Sequence, residues 1–230
     1  MAHSVVKSVI FDIDNTLYDF AYCNGLALDK LREYAYKNFA WSAETFNEKH
    51  LAIQHEIFSQ MGYNGSCRDR MLRYKKMLES SSLPLFPHAV EMVDLYWSTM
   101  LENLQPYNEV FDVLAALKER KIKIGIGSDM TTYIQFKKLE KMNVLKFIDF
   151  VVTSEEAGEE KPSPKLFKLC LDKAGCLKSE CLFVGDDLRK DYEGAKNFGM
   201  RALLVNKKNS QLSEDIDQIT SLNQILERLN

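Results

Sequence analysis

A chain of 230 residues with a formal net charge of −3 and 27% charged residues has room for one large core, or one core carrying a small insertion. It is 46% hydrophobic, yet no apolar run approaches the ~18 residues of a membrane span, and no basic stripe marks a nucleic-acid-binding protein. Five cysteines, none in CxxC spacing, read as reduced and mostly buried thiols. With no signal peptide ahead of the first strand, the expectation is a cytoplasmic protein, monomer or homodimer. His3, His50, His55 and His88 show no ligand spacing and read as structural or surface residues.

The first element is the run from Val5 to Tyr18, VVKSVIFDIDNTLY. Val9, Ile10, Phe11 and Ile13 read as a strand buried in a parallel sheet. It ends in two acids, Asp12 and Asp14. Residues i and i+2 of an extended strand point the same way, so both carboxylates reach one pocket. Carboxylates out of water need partners, which points to metal binding or catalysis.

From Asn24 to Leu104 apolar residues recur at helical spacing, with breaks at Gly62–Ser66 and Ser80–Pro87. Ser42 before Ala43 and Glu44 reads as a helix N-cap. No strand is evident in this block. Arg68, Arg70 and Arg73 read as a solvated helix face, with a substrate-specificity role for one of them as the alternative, and Tyr18, Phe20 and Tyr22 as a mixture of hinge core and pocket lining.

After Pro106 the pattern alternates. Helices are expected over Asn108–Arg120, Thr131–Met142, Pro164–Ala174, Leu188–Phe198 and most of Ile216–Leu229. Strands are expected over Lys121–Ser128, Phe147–Thr153, Glu180–Asp186 and Arg201–Val205, with a polar loop over Ser154–Pro164. Alternating strands and helices predict an α/β fold with a doubly wound, Rossmann-like parallel sheet. The helical block, 18–105, reads as a hinged cap inserted into a core made of 1–17 and 106–230.

Ligands of such sheets lie beyond the carboxyl ends of the strands. There the sequence sets Asp12 and Asp14, then Ser128 and Asp129, then Lys161 in KPSP, then Asp186, Asp187 and Asp191. Clustered carboxylates repel unless a cation sits among them. An all-oxygen set favours a hard ion such as Mg²⁺. A hydroxyl and an ammonium suit phosphate oxygens. Asp187 fits two roles, support of the metal or a cap on the helix from Leu188. Arg189 and Lys190 read as surface charges.

The motifs DIDNTL at 12–17, GSD at 127–129, KPSP at 161–164 and GDDLRKD at 185–191, in this order, resemble the four signatures of the haloacid dehalogenase (HAD) superfamily. The helical block is similar to that superfamily's first type of insertion cap. The resemblance implies Asp12 as nucleophile and metal ligand, and Asp14 as general acid/base that binds metal through its backbone carbonyl. Thr16 would orient Asp14. Ser128, the backbone amide of Asp129, and Lys161 would hold the phosphate. Asp186, Asp187 and Asp191 would support the metal. An asparagine is common in relatives where this chain has Asp129. Dehalogenases of the superfamily lack an aspartate at position 14, so the resemblance implies a Mg²⁺-dependent phosphomonoester hydrolase. A nucleoside monophosphate or a sugar or glycolate phosphate is the expected substrate, and DNTLY is similar to nucleotidase-like relatives. The alternatives are a phosphomutase of β-phosphoglucomutase type and a non-catalytic sensor of phosphate ligands.

Overall fold

The structure, a computed structural model, describes residues 5–207 and 209–229; His3 lies outside them. Six parallel strands form one sheet in the order β3-β2-β1-β4-β5-β6: β1 (Ser8–Phe11), β2 (Lys123–Ser128), β3 (Phe150–Thr153), β4 (Cys181–Gly185), β5 (Arg201–Val205) and β6 (Gln218–Ile219). The order reverses direction between β1 and β4, and a crevice opens at such a switch point beyond the strand ends.

Every residue of β1 is buried because helices cover both faces of the sheet. Val9 and Phe11 join a core with Ile124, Ile126, Leu182 and Val184. Ile10 points to the opposite core with Val152, Phe167 and Phe183. This two-sided burial explains the unbroken apolar run in the sequence.

Between β1 and β2 come α1 (Phe20–Phe39), α2 (Ala43–Met61), α3 (Arg70–Glu79), α4 (His88–Glu102) and α5 (Val110–Glu119). Ser42 caps α2 by accepting from Thr45 N–H, and Asp69 caps α3 by accepting from Leu72 N–H. The two passages of chain flanking α1–α4 meet: Tyr107 N–H donates to Leu17 O at 2.9 Å, and Tyr18 pairs with Pro106.

The rest comprises α6 (Thr132–Lys141), α7 (Ser154–Ala157), α8 (Pro164–Ala174) and α9 (Gly194–Phe198). Three expectations are corrected. The loop after β3 opens with α7, because Thr153 caps it through Glu156 N–H. The helix over Leu188–Phe198 is a π-helical turn, Leu188–Glu193, that runs into α9; the wider turn carries Asp191 inward. The terminal helix over Ile216–Leu229 is β6 followed by a 3₁₀ segment, Leu222–Glu227. The open edge of β5 captures the chain there, with Leu204 N–H bonded to Asp217 O and Asn206 N–H to Ile219 O. The five cysteines are free thiols, four of them buried. Among the described residues, no helix is long and apolar enough to cross a membrane.

Candidate active site

The strand ends around the switch point bring the acids together. Asp12 follows β1 directly, its N–H bonded to Val184 O at 2.9 Å. Its side chain is 9% exposed, and its Oδ1 accepts from Lys161 Nζ at 2.6 Å and Ser128 Oγ at 2.8 Å. Lys161 Nζ also lies 2.7 Å from Asp191 Oδ1, and it donates to Gly127 O. One buried ammonium therefore joins the ends of β1 and β2 to the turn after β4.

Carboxylate oxygens of Asp12, Asp186 and Asp191 lie within 4.8 Å of one another. Asp191 is brought in by its bond from Asp187 N–H, 3.0 Å, and by a glycine. A Cβ at Gly185 would meet Asp191 Oδ2 at 2.2 Å, so the close approach needs Gly there. Three carboxylates facing one lysine leave negative charge uncompensated. Burial pushes Asp12 up to about 7 against the pull of Lys161, and Asp191 and Asp14 add to the rise. Burial also pushes Asp186 up to about 8, with Asp12 and Asp191 adding. Burial opposes the charge on Lys161, but Asp12 and Asp191 hold its pKa well above the ordinary lysine value. Hard oxygen donors with surplus negative charge suit a dication such as Mg²⁺.

Asp14 sits beside this cluster, half-buried. Lys138 Nζ donates to its two oxygens at 2.6 and 2.8 Å, and Tyr18 OH donates to Oδ1 at 2.6 Å. Thr16 does not orient it: Thr16 is fully buried and its hydroxyl has no hydrogen-bond partner among the described residues. The chain folds back after Asp14, with Leu17 N–H bonded to Ile13 O. That turn carries Tyr18, rather than Thr16, onto the carboxylate.

Asp187 caps the turn from Leu188, one of its two readings. Its Oδ1 accepts from Arg189 and Lys190 N–H, and it stands outside the acidic trio, exposed at the cavity rim. Asp129 turns its charge away from the cluster. Its Oδ1 accepts from Lys161 N–H at 2.9 Å and its Oδ2 from Lys190 Nζ at 2.8 Å.

Several participants escaped the sequence reading. Lys190 is not a free surface charge: it bridges Asp129 and Glu160, at 2.8 and 2.9 Å. Glu160, fully buried at its side chain, also takes Arg68 Nε and Nη2 at 2.6 and 2.7 Å. Arg68 is thus an anchor, and Arg70 and Arg73 are buried, not a solvated face. Gln135 donates to Ser128 Oγ and to Asp129 O, both at 2.8 Å. A signal for Gln135 and Lys138 was present. With Leu139 and Met142 they fall at i, i+3, i+4 and i+7 on the buried face of α6, and two polar residues on such a face need partners.

The site lies in a cavity of about 230 Å³. Asp12, Asp14, Ser128, Lys161 and Asp186 line its floor side, and Phe20, Arg68, Arg70 and Trp97 come from the α1–α4 side.

Comparison with known proteins agrees with this geometry. The sequence pattern of the family described as haloacid dehalogenase-like hydrolase matches residues 9–205. The chain is 33% identical over 220 residues to the ribulose-1,5-bisphosphate 5-phosphatase of Halopiger xanaduensis, covering 93% of this chain and 91% of that protein. It is 32% identical over 235 residues to the glyceraldehyde 3-phosphate phosphatase of Methanothermobacter thermautotrophicus, covering 96% and 100%. The crystal structure of a HAD phosphatase from Thermococcus onnurineus superposes with a TM-score of 0.75 at 26% identity, covering 97% and 98%. On a match that spans all four strand-end motifs and both sides of the cavity, this chain belongs to the haloacid dehalogenase-like hydrolase family.

Proposed function

We propose that the chain hydrolyses small phosphate monoesters through a covalent aspartyl-phosphate on Asp12. The observation that carries this reading is Asp12 Oδ1 held at once by Lys161 Nζ and Ser128 Oγ. That geometry supports a nucleophilic role for the buried carboxylate, with donors placed to receive phosphoryl oxygens.

Asp12 attacks phosphorus and the bond to the leaving oxygen breaks. Asp14, protonated, gives its proton to that oxygen, because an alkoxide leaves poorly without one. Asp14, now ionised, takes a proton from water; the hydroxide attacks phosphorus, and inorganic phosphate leaves Asp12 free. Lys138 and Tyr18 position Asp14 for both transfers. Asp12, Asp186 and Asp191 would hold Mg²⁺, which when bound offsets the repulsion between carboxylate and phosphate.

The cavity of about 230 Å³ falls below the roughly 300–1,000 Å³ of drug-sized sites. A short phosphorylated sugar fits within it. The curated relatives named above are sugar-phosphate phosphatases by name, which supports the same class. In this reading α1–α4 act as a cap that opens for substrate entry and excludes water when shut.

The test is phosphate release from a panel of sugar phosphates, with Mg²⁺ or chelator, for wild type and Asp12→Asn. Metal-dependent release that is lost in the variant supports hydrolysis. An isomeric phosphate ester in place of free phosphate makes the chain a mutase. Binding without either product makes it a sensor.

A further inference from the structure

Five cations line the cavity: Arg68, Arg70, Lys138, Lys161 and Lys190. Four have carboxylate partners. Arg68 pairs with Glu160, Lys138 with Asp14, Lys161 with Asp12 and Asp191, and Lys190 with Asp129 and Glu160. Arg70 has no carboxylate partner among the described residues, yet it is 8% exposed. An arginine cannot shed its charge, and a buried charge without a counter-ion is costly.

The surroundings hold Arg70 in place without neutralising it. Its Nη1 donates to Arg68 O at 3.0 Å and its Nη2 to Tyr96 OH at 2.9 Å, while Nε has no partner. Tyr96 OH donates in turn to Asn24 Oδ1 at 2.7 Å, so residues of α1 and α4 fix the guanidinium on α3. The group lies over the Tyr96 ring at 4.6 Å and near Trp97 at 5.7 Å. These rings relieve part of the desolvation. They leave N–H groups unspent on Nε, Nη1 and Nη2. Arg73, one turn further along α3, is a second buried guanidinium without a carboxylate partner among the described residues. It adds positive potential rather than relief. Burial, together with the charge of Arg70, holds Arg73 down to about 10.

We propose that Arg70 is a substrate-specificity residue that binds a second anionic group, a phosphate or a carboxylate, at the end of the substrate remote from the scissile phosphate. The proposal rests on the phosphatase reading above. The reacting phosphate occupies the floor at Asp12, Ser128 and Lys161, and the remote anion meets Arg70, which lines the same cavity from the α1–α4 side. Arg70, Trp97 and Met130 also border a neighbouring cavity of about 490 Å³, which gives the remote end of the substrate room past the guanidinium.

The test uses two matched pairs: ribulose 1,5-bisphosphate against ribulose 5-phosphate, and 3-phosphoglycerate against glycerol 3-phosphate. Within each pair the first has the additional anion. Turnover is measured as kcat/KM on wild type, Arg70→Gln and Arg70→Lys. Binding is measured by calorimetry on Asp12→Asn, which does not need turnover. The expected result is a preference of wild type for the ester with the additional anion, on the order of tenfold to a hundredfold, the range of a charge-assisted hydrogen bond. Arg70→Gln erases the preference through KM, and Arg70→Lys restores part of it. Equal turnover within both pairs overturns the role of Arg70 and leaves the hydrolase intact. No turnover, with Asp12→Asn still binding the more anionic partner more tightly, overturns the hydrolase and keeps the anion site. Equal binding, or none, overturns the anion site as well. A preference that survives in Arg70→Gln overturns the role of Arg70; should that variant fail to fold, Arg70→Lys decides, a preference undiminished from wild type in KM overturning the role.

Discussion

Arg68, just ahead of α3, and Glu160, on the loop after β3, form a two-point ion pair at 2.6 and 2.7 Å. It is the start of a chain of charges. Glu160 takes Lys190, Lys190 takes Asp129, and Asp129 accepts from the backbone N–H of Lys161. The helical insertion is thereby tied to the residue that holds Asp12.

Arg68→Ala leaves the buried carboxylate of Glu160 with Lys190 and the weak donor Cys67 Sγ. The expected cost is about 1–3 kcal/mol of unfolding free energy, the range for a buried polar group that loses a partner. KM should rise at the same time, because the tie across the cavity is cut. Urea denaturation and steady-state kinetics check both. Unchanged stability and KM would show the pair to be incidental.

Lys138→Met strips Asp14 of its cation and leaves Tyr18 OH as its donor. If Asp14 protonates the leaving oxygen, the loss falls on esters that need the proton. The expected fall in kcat for a sugar phosphate is about 10²-fold, at the lower end of general acid–base contributions. The fall should be much smaller for p-nitrophenyl phosphate, whose leaving group departs as a stable anion. Equal losses on both would place the effect of Lys138 on the water-activating step that the two esters share, and no loss on either would remove Lys138 from the acid–base machinery.

Gly185→Ala places a methyl group where Asp191 Oδ2 stands, 2.2 Å from the ideal Cβ. The carboxylate must move, and the acidic trio opens. Weaker Mg²⁺ activation, by about tenfold or more, is expected, since displaced ligands and their supports typically cost 10–100-fold. A titration of activity against Mg²⁺ concentration measures it. An unchanged titration would remove Asp191 from the metal site.

Stability of the metal-free protein should fall as pH rises. Asp12 and Asp186 are pushed up to about 7 and about 8 when folded, chiefly by burial, from an unfolded value near 3.9. Between these limits the folded state holds more protons than the unfolded state, so the unfolding free energy decreases with pH. The stabilisation from protonation is complete near pH 4 and is lost as pH rises through about 7 to 8. Mg²⁺ displaces those protons, so its stabilising effect should be largest at about pH 8. Thermal melts at about pH 5 and pH 8, with chelator and with Mg²⁺, test the sign. A metal-free Tm higher at about pH 8 would contradict it.

The parts legible in the sequence were those fixed by local pattern. The apolar run into Asp12 and Asp14, the alternating β2, and glycines ahead of Ser128 and Asp186 all report strands ending in polar residues. Strand order was not legible, since nothing local states that β1 lies between β2 and β4. The long-range ion pairs were hidden for the same reason. Lys138 meets Asp14 across 124 positions, and Arg68 meets Glu160 across 92. The chain end misled because Leu222, Ile225 and Leu229, all buried, fit helical spacing, although only the first two lie in the 3₁₀ segment. The edge of β5 decided against a continuous helix.

The most direct test of the account is an acid-quenched single turnover with a phosphorus-labelled sugar phosphate, followed by peptide mass analysis. The account predicts one phosphoryl group on the peptide that contains Asp12, formed before free phosphate and absent in Asp12→Asn. Phosphate release with no label on that peptide at any quench time, or undiminished release by Asp12→Asn, would contradict it.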